Sequence, residues 1–332
     1  MKRNFGLISS IITIVLICSF FINYGQATAA AYPDRPVTLL VGFAPGGSMD
    51  LSARALARSA EKILGQPVVI ENKTGGTGTV ALAAMLSQNQ DGYTLCATPS
   101  SVLIRVSQMQ KVPFQAFKSF KLIIGFSTPL LGIVVKNDSP YKTLKDLTDA
   151  ARKNTGKLKY ATTGVGSTTH AAVDEIAAAE KVQMIHVPYK GSIEALTALL
   201  GGHVDFASLT SEFVPSVRAG QTRVLATMAE KKYPKFPDTP TLKEAGYDFV
   251  NDAVFSIIGP SNLPASVLKK LEDAFTEATK NIEYLNALDK IDMMPVNYSG
   301  KELDEFLRIH WKKINTHLIA TGLIKEAATM PE

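Results

Sequence analysis

Cysteine is almost missing from this chain: 332 residues carry two, Cys18 and Cys96. If Cys18 leaves with the leader described below, no intramolecular disulfide can form. A lone cysteine in an exported chain is best kept in a core, and Cys96 lies within the strand-like run YTLCAT. Histidine is also sparse. The five (His170, His186, His203, His310 and His317) are scattered and show no metal-ligand spacing, so no metal site is expected. Charge of either sign is thin. The formal charge of +5 falls to +3 without Lys2 and Arg3, which argues against nucleic acid and permits an anionic ligand. No G-x-S-x-G elbow occurs, so a serine hydrolase has no nucleophile in the right strand-turn-helix setting. There is no repeat, no low-complexity segment and no apolar run of membrane length after the first 22 residues.

The first 31 residues have a clear order. Lys2 and Arg3 precede an almost wholly apolar run over residues 5–22, followed by small residues. Ala27-Thr28-Ala29 and Ala29-Ala30-Ala31 both fit a small-x-small cleavage site. Residues 1–31 therefore read as a signal peptide cleaved near Ala29–Ala31, which exports the protein across the cytoplasmic membrane. The alternative is an uncleaved membrane anchor. Lipid anchoring through Cys18 is disfavoured by the bulky Ile17 before it.

The remaining roughly 300 residues suit two domains. Strand-like runs over 36–43, 67–71 and 93–97 alternate with helical patterns over 51–64 and 77–86, predicting a parallel sheet covered on both faces. In the first helix the expected apolar stripe is Leu51, Ala55, Leu56, Ala60, Ile63 and Leu64. Extended runs over 122–126 and 131–136 lead into a second unit. Its helices are expected at 143–153, 168–179 and 193–200, and its strands at 158–161, 184–187, 204–207 and 224–228. A strand at 253–258 and two strong helices follow. One starts at Pro264, a residue suited to a first helical position. The other opens on the capping box Ser299/Glu302 and stacks Leu303, Phe306, Leu307, His310, Ile314 and Leu318. The expected architecture is α/β with two lobes and a cleft between them. Residues 32–126 and 252–332 form lobe 1, and residues 127–251 form lobe 2.

In open α/β sheets ligands bind beyond the carboxyl ends of the strands. Three such loops are rich in glycine and hydroxyl groups: residues 43–50 (FAPGGSMD), 162–170 (TTGVGSTTH) and 98–101 (TPSS). Glycine lets the main chain approach a ligand, and the helix starts after the first two loops offer N–H groups suited to a carboxylate. A plain turn and helix cap would explain the same residues, since Ser48 and Ser167 are good N-caps in any case. Asp50 reads as a brace accepting main-chain N–H bonds, or as an acid or base. His170 either donates to a ligand or braces its loop. The stretch 76–81 (GTGTVA) fits the dinucleotide fingerprint, but it follows the second strand, and a tight strand-to-helix turn accounts for its glycines. No cofactor is expected.

Read in order, these segments resemble the tripartite tricarboxylate transporter receptor family, the Bug-type periplasmic binding proteins. The match is carried by residues 32–54 (YPDRPVTLLVGFAPGGSMDLSAR), 65–81 (GQPVVIENKTGGTGTVA), the DGYTL run, TTGVGSTTH, residues 187–206 (VPYKGSIEALTALLGGHVDF) and residues 236–247 (FPDTPTLKEAGY). The resemblance implies a type II periplasmic-binding-protein fold. It also implies a ligand carboxylate gripped by main-chain N–H groups and bridging waters. By position, the first-lobe contacts would be Phe43, Ala44, Gly47, Ser48 and Asp50. The second-lobe contacts would be Thr163, Gly166, Ser167, Thr168 and His170, with Tyr189 and Lys190 at the cleft edge. Thr98, Ser100 and Ser101 match the family's third loop. Met49, Thr74, the third loop as a whole and Val254 depart from the family pattern, and the third loop bears on which ligand is taken. The implied partners are a small carboxylate and the membrane permease subunits of a tripartite transporter. The rival readings are a secreted α/β enzyme acting on a carboxylate, and a membrane-anchored sensor receptor.

Overall fold

The computed structural model describes residues 32–249, 251 and 253–331. The leader and its cleavage sites lie outside the described residues. From Arg35 onward the chain forms one compact unit built on two sheets.

The first sheet holds β1 (Val37–Val41), β2 (Val68–Asn72), β3 (Thr94–Pro99), β4 (Phe120–Pro129), β10 (Phe255–Pro260) and β11 (Met293–Ser299), in the order β11-β4-β10-β3-β1-β2. The second holds β5 (Gly132–Lys136), β6 (Lys159–Thr162), β7 (Ile185–Pro188), β8 (Phe206–Leu209) and β9 (Thr222–Thr227), in the order β7-β6-β8-β5-β9. Strands β1, β2 and β3 are parallel, as are β6, β7 and β8. The strands on either side of the passages between sheets break that pattern. β10 pairs antiparallel with both β3 and β4, and β5 pairs antiparallel with both β8 and β9. Each sheet is therefore mixed. A chain that leaves a sheet and later returns need not enter in the original direction.

Helix α1 (Ser48–Leu64) buries Met49, Ala53, Leu56, Ala57, Ala60 and Leu64 at three- and four-residue spacing. This corrects the expected stripe: Leu51 and Ile63 are 38% and 39% exposed. Small residues at 53, 57 and 60 turn the close-packed face about one position away from the large apolar ones. Gly65 stops the helix in the left-handed region, its N–H returning to Glu61 O. After the short α2 (Thr79–Leu86) and β3, the chain winds as a π-helix over Val102–Val106.

The second sheet carries α3 (Leu144–Lys153), α4 (Thr168–Glu180), α5 (Ser192–Leu200) and α6 (Phe213–Arg218). The last part of the chain supplies α7 (Ala265–Ala278), α8 (Ile282–Lys290) and α9 (Gly300–Ala320). Pro264 stands at the N-cap of α7, one position earlier than expected, with ψ 138°. The α9 capping box forms as read: Ser299 N–H donates to Glu302 Oε2 at 2.8 Å, and Glu302 N–H donates back to Ser299 Oγ. Trp311 joins the α9 stripe, while His310 lies half-buried with its ring 3.9 Å from that of Phe306. Cys96 is fully buried in β3, and burial pushes its thiol up to about 12, so it is inert.

Candidate functional site

The loops at the carboxyl ends of β1, β3, β6 and β8 converge on one cavity of about 580 Å³, counting its open mouth, a size suited to a small molecule. Phe43, Ala44, Gly47 and Ser48 line it from the first loop, and Ser101 from the third. Thr163, Ser167 and Thr168 line it from the glycine-serine loop. These eight of the fifteen candidate residues are brought together. The other seven stand elsewhere.

Five of the seven lie behind this lining. Asp50 is buried. Its Oδ2 accepts from Gly46 N–H and Arg54 Nε, both at 2.9 Å, and its Oδ1 accepts from Asn72 Nδ2 at 2.9 Å. Burial pushes its carboxyl up, but the bonds from Arg54, Gly46 and Asn72 outweigh that and hold it below the ordinary value. Asn72 also donates to Phe43 O at 3.0 Å, so Asp50 and Asn72 together pin the first loop. Thr98 and Ser100 are buried at the end of β3. Gly166 donates its N–H to His170 Nδ1 at 3.2 Å. His170 is buried with its ring 4.1 Å from His186, and burial, helped by His186 and Arg105, pulls its pKa down to about 3. A neutral ring whose Nδ1 accepts from Gly166 has Nε2 as its protonated nitrogen. The 3.3 Å approach of Asp174 to Nδ1 is therefore not an ion pair at neutral pH. His170 braces the loop.

Tyr189 and Lys190 line a separate, shallower pocket, together with Gly76, Gly78, Gly164 and Val165. There the two sheets' loops touch. Thr77 Oγ1 donates to Val165 O at 3.0 Å, and a Cβ on Gly164 would meet Thr77 Oγ1 at 2.6 Å.

The helix starts differ in what they offer. Ser167 caps α4, its Oγ accepting His170 N–H at 3.1 Å. Thr168 and Thr169 form the first turn of α4, and both line the cavity. At α1 the arrangement is unexpected. Gly47, not Ser48, is the N-cap, and Ser48 N–H donates to Glu212 Oε1 at 2.5 Å. Thr210 Oγ1 donates to Glu212 Oε2 at 2.5 Å, and Ser48 Oγ lies 3.3 Å from Thr210 Oγ1. The α1 start thus already holds a carboxylate of the protein itself, supplied from beyond β8. Glu212, Thr210, Ser192 and Glu194 all line the cavity, and sequence reasoning passed over them. A signal existed: Thr210-Ser211-Glu212 follows a strand and precedes a helix, the placement that singled out the other loops.

Among the described residues no group of three or more His, Cys, Asp or Glu side chains could hold a metal ion. No helix among them is long and apolar enough to cross a membrane.

Two mixed sheets, with strand-end loops closing on a common cavity, define a periplasmic-type solute-binding protein of two lobes. The model of the tripartite tricarboxylate transporter family receptor matches residues 52–323, and the chain belongs to that family. It is 38% identical over 300 residues to a Cupriavidus necator protein, the UPF0065 protein in gbd 5'region, covering 90% of this chain and 91% of that one. Among solved structures it is similar to the periplasmic binding protein BugD, with TM-score 0.83, 26% identity, and 88% of this chain and 99% of that one covered. It is also similar to MatC from Rhodopseudomonas palustris with bound malate, with TM-score 0.78, 26% identity, and 85% and 99% covered.

Proposed function

We propose that the chain captures a small carboxylate in this cavity and closes on it, for delivery to the membrane permease of a tripartite transporter. The observation that carries the reading is the start of α4 opening on the cavity. Ser167, Thr168 and Thr169 border the cavity there, and a helix start carries partial positive charge that suits an anion. Malate in MatC supports the ligand class. Of the two anion cradles expected from the sequence, the α1 start already engages a carboxylate of the protein, Glu212, through Ser48 N–H.

The lobes are taken as residues 32–126 with 252–332, and 127–251. The chain passes from the first sheet to the second between Pro129 and Gly132, and returns between Thr227 and Phe255. Residues 1–31 are taken as a cleaved export signal. No covalent chemistry is assigned. Ser167 Oγ donates to Gly164 O at 2.8 Å, and the nearby His170 directs Nδ1 to a main-chain N–H, so neither forms a nucleophile–base pair.

The test is thermal unfolding of the mature protein with mono-, di- and tricarboxylates, aromatic acids and amino acids. A ligand at one hundred times its Kd adds about 2.7 kcal/mol, which raises Tm by several degrees. The bound compound should be recovered chemically unchanged. A panel in which no acid shifts Tm would overturn the reading.

A further inference from the structure

The loops after β1 and β8 are joined across the cavity by a contact made wholly by the protein. Ser48, at the first position of α1, follows the first sheet's β1, and Glu212 follows the second sheet's β8. Ser48 is buried and Glu212 half-buried, and Ser48 N–H donates to Glu212 Oε1 at 2.5 Å. The approach is close along this whole seam. A Cβ on Gly47 would stand 3.3 Å from Glu212 Oε1, one on Gly46 3.6 Å from Ile193 Cδ1, and one on Gly191 3.8 Å from Ala44 Cβ.

Glu212 is prepared for this contact from its own side. Thr210 Oγ1 donates to its Oε2 at 2.5 Å, and Thr210 N–H donates to Ser192 Oγ at 3.0 Å, so the second sheet's loops set the carboxylate before it meets α1. What it meets is the start of a 17-residue helix, where partial positive charge favours an anion. Where the loops touch beside the separate, shallower pocket, the bonds are neutral and exposed: Thr77 Oγ1 and Gln110 Nε2 donate to Val165 O at 3.0 and 3.2 Å. Further along α4, His317 Nδ1 lies 2.9 Å from Glu175 Oε2, an ion pair only when the ring is protonated. The Ser48–Glu212 bond joins a carboxylate to a helix start, and hydrogen bonds to ionised groups are about twice as strong as neutral ones.

We propose that Glu212 is a latch: it holds the segments of the two sheets together in the unliganded protein, so that the closed form is the resting state. This rests on the closure proposed above and on no choice of ligand. A bond of this kind shifts the equilibrium between closed and open forms by about tenfold or more. Parting of Ser48 and Glu212 then becomes a step in both the entry and the escape of a ligand.

The experiment is X-ray scattering from the mature protein with no acid added, on wild type, Glu212→Ala, Ser48→Pro and Ser48→Ala. Proline suits the first helical position, and Gly47 before it has φ −74° and ψ 165°, the extended region favoured ahead of proline. Ser48→Pro thus deletes the donor N–H and keeps α1, while Ser48→Ala deletes the hydroxyl and keeps the N–H. The expected result is a wild type whose radius of gyration matches the structure, the same value in Ser48→Ala, and a larger one shared by Glu212→Ala and Ser48→Pro. If Glu212→Ala folds poorly, Ser48→Pro decides, because it reaches the same bond from the other side. Wild-type dimensions in both Glu212→Ala and Ser48→Pro overturn the latch, and so does a wild type already as expanded as they are. A wild type that contracts only when malate or another acid of the thermal panel is added keeps capture and closure and removes the latch. Expansion of the two variants, in a protein that takes none of those acids, keeps the latch and removes the carboxylate reading.

Discussion

Ser100 and Val254 exchange a reciprocal pair of hydrogen bonds: Ser100 N–H donates to Val254 O at 2.8 Å, and Val254 N–H donates to Ser100 Oγ at 3.0 Å. Both residues are buried, and they tie the end of β3 to the approach to β10. The hydroxyl of a candidate ligand contact is thus spent on the main chain. Ser100→Ala should leave a buried N–H without a partner and cost about 1–3 kcal/mol in urea unfolding. The affinity of the folded variant for its acid should stay within a few-fold of wild type. A large loss of affinity at unchanged stability would return Ser100 to the ligand.

Gly166 and Gly47 flank the two helix starts and should respond differently. Gly166 has φ +78°, and a Cβ there would lie 3.2 Å from Val106 Cγ2. Side chains in the left-handed region cost about 1–2 kcal/mol, and the strain would fall on the N–H that holds His170. Gly166→Val should lower both stability and ligand affinity, the latter at least tenfold. Gly47 has an ordinary φ of −74°, and its Cβ would approach Glu212 Oε1 at 3.3 Å. Gly47→Ala should leave stability nearly unchanged while weakening the Ser48–Glu212 contact. Thermal unfolding and titration of both variants separate these outcomes. Equal, small effects at the two positions would refute the difference drawn here.

The sheets and most helices were legible because apolar runs and periodicity report burial directly. The loops that form the cavity were legible too, since Phe43, Gly47, Ser167 and Thr168 follow strands and precede helices. Other features depend on contacts between distant segments. Helix α8 and strand β11 gave no pattern. Met293, Met294, Pro295 and Val296 do not alternate cleanly, and β11 forms because β4 offers an edge. Asp50 and His170 carry chemistry in their side chains, yet each is used up on its own loop. The position of Glu212 after a strand and before a helix was legible, but its pairing with Ser48, 164 residues away, is a contact that no local pattern encodes.

His170 and His186 should make the protein acid-sensitive. Burial lowers His170 to about 3 and His186 to about 4, from 6.5. The unfolded chain takes up these protons as pH falls below 6.5, whereas the folded protein takes them only near 4 and 3. The stability they allow is complete above 6.5 and is lost progressively towards pH 3. Asp174, facing the same cluster with Arg105 and Tyr160, opposes this. Burial raises it to about 6 against the pull of Arg105 and His317, so its contribution is full below 3.8 and fades as pH rises through 6. With two histidines against one carboxyl, the net slope is a loss on acidification. Urea midpoints at pH 7.5 and pH 4.5 should show it, and His186→Gln should make the loss smaller. A pH-independent midpoint would contradict the buried neutral pair.

Asp292 should matter more than other charged pairs. It is buried beside β11, at φ +56°, and its Oδ1 accepts from Arg218 Nη2 and Lys235 Nζ, both at 2.8 Å. Its main-chain oxygen accepts from Ser211 Oγ at 3.0 Å, and that hydroxyl accepts from Leu130 N–H at 2.9 Å. One residue of the first sheet's segment thereby holds α6, the loop after β8 and the passage between β4 and β5. Asp292→Asn keeps the shape and removes the charge. Because Arg218 and Lys235 are themselves partly exposed, water screens part of the effect, and a loss of about 1–3 kcal/mol is expected. Lys243 and Glu230, an ion pair exposed on both sides, serve as the comparison, and Lys243→Ala should change stability little. If Asn at 292 is as harmless as Ala at 243, this buried carboxylate does not join the segments. If it also increases the radius of gyration of the unliganded protein in X-ray scattering, the contact restrains opening between the sheets.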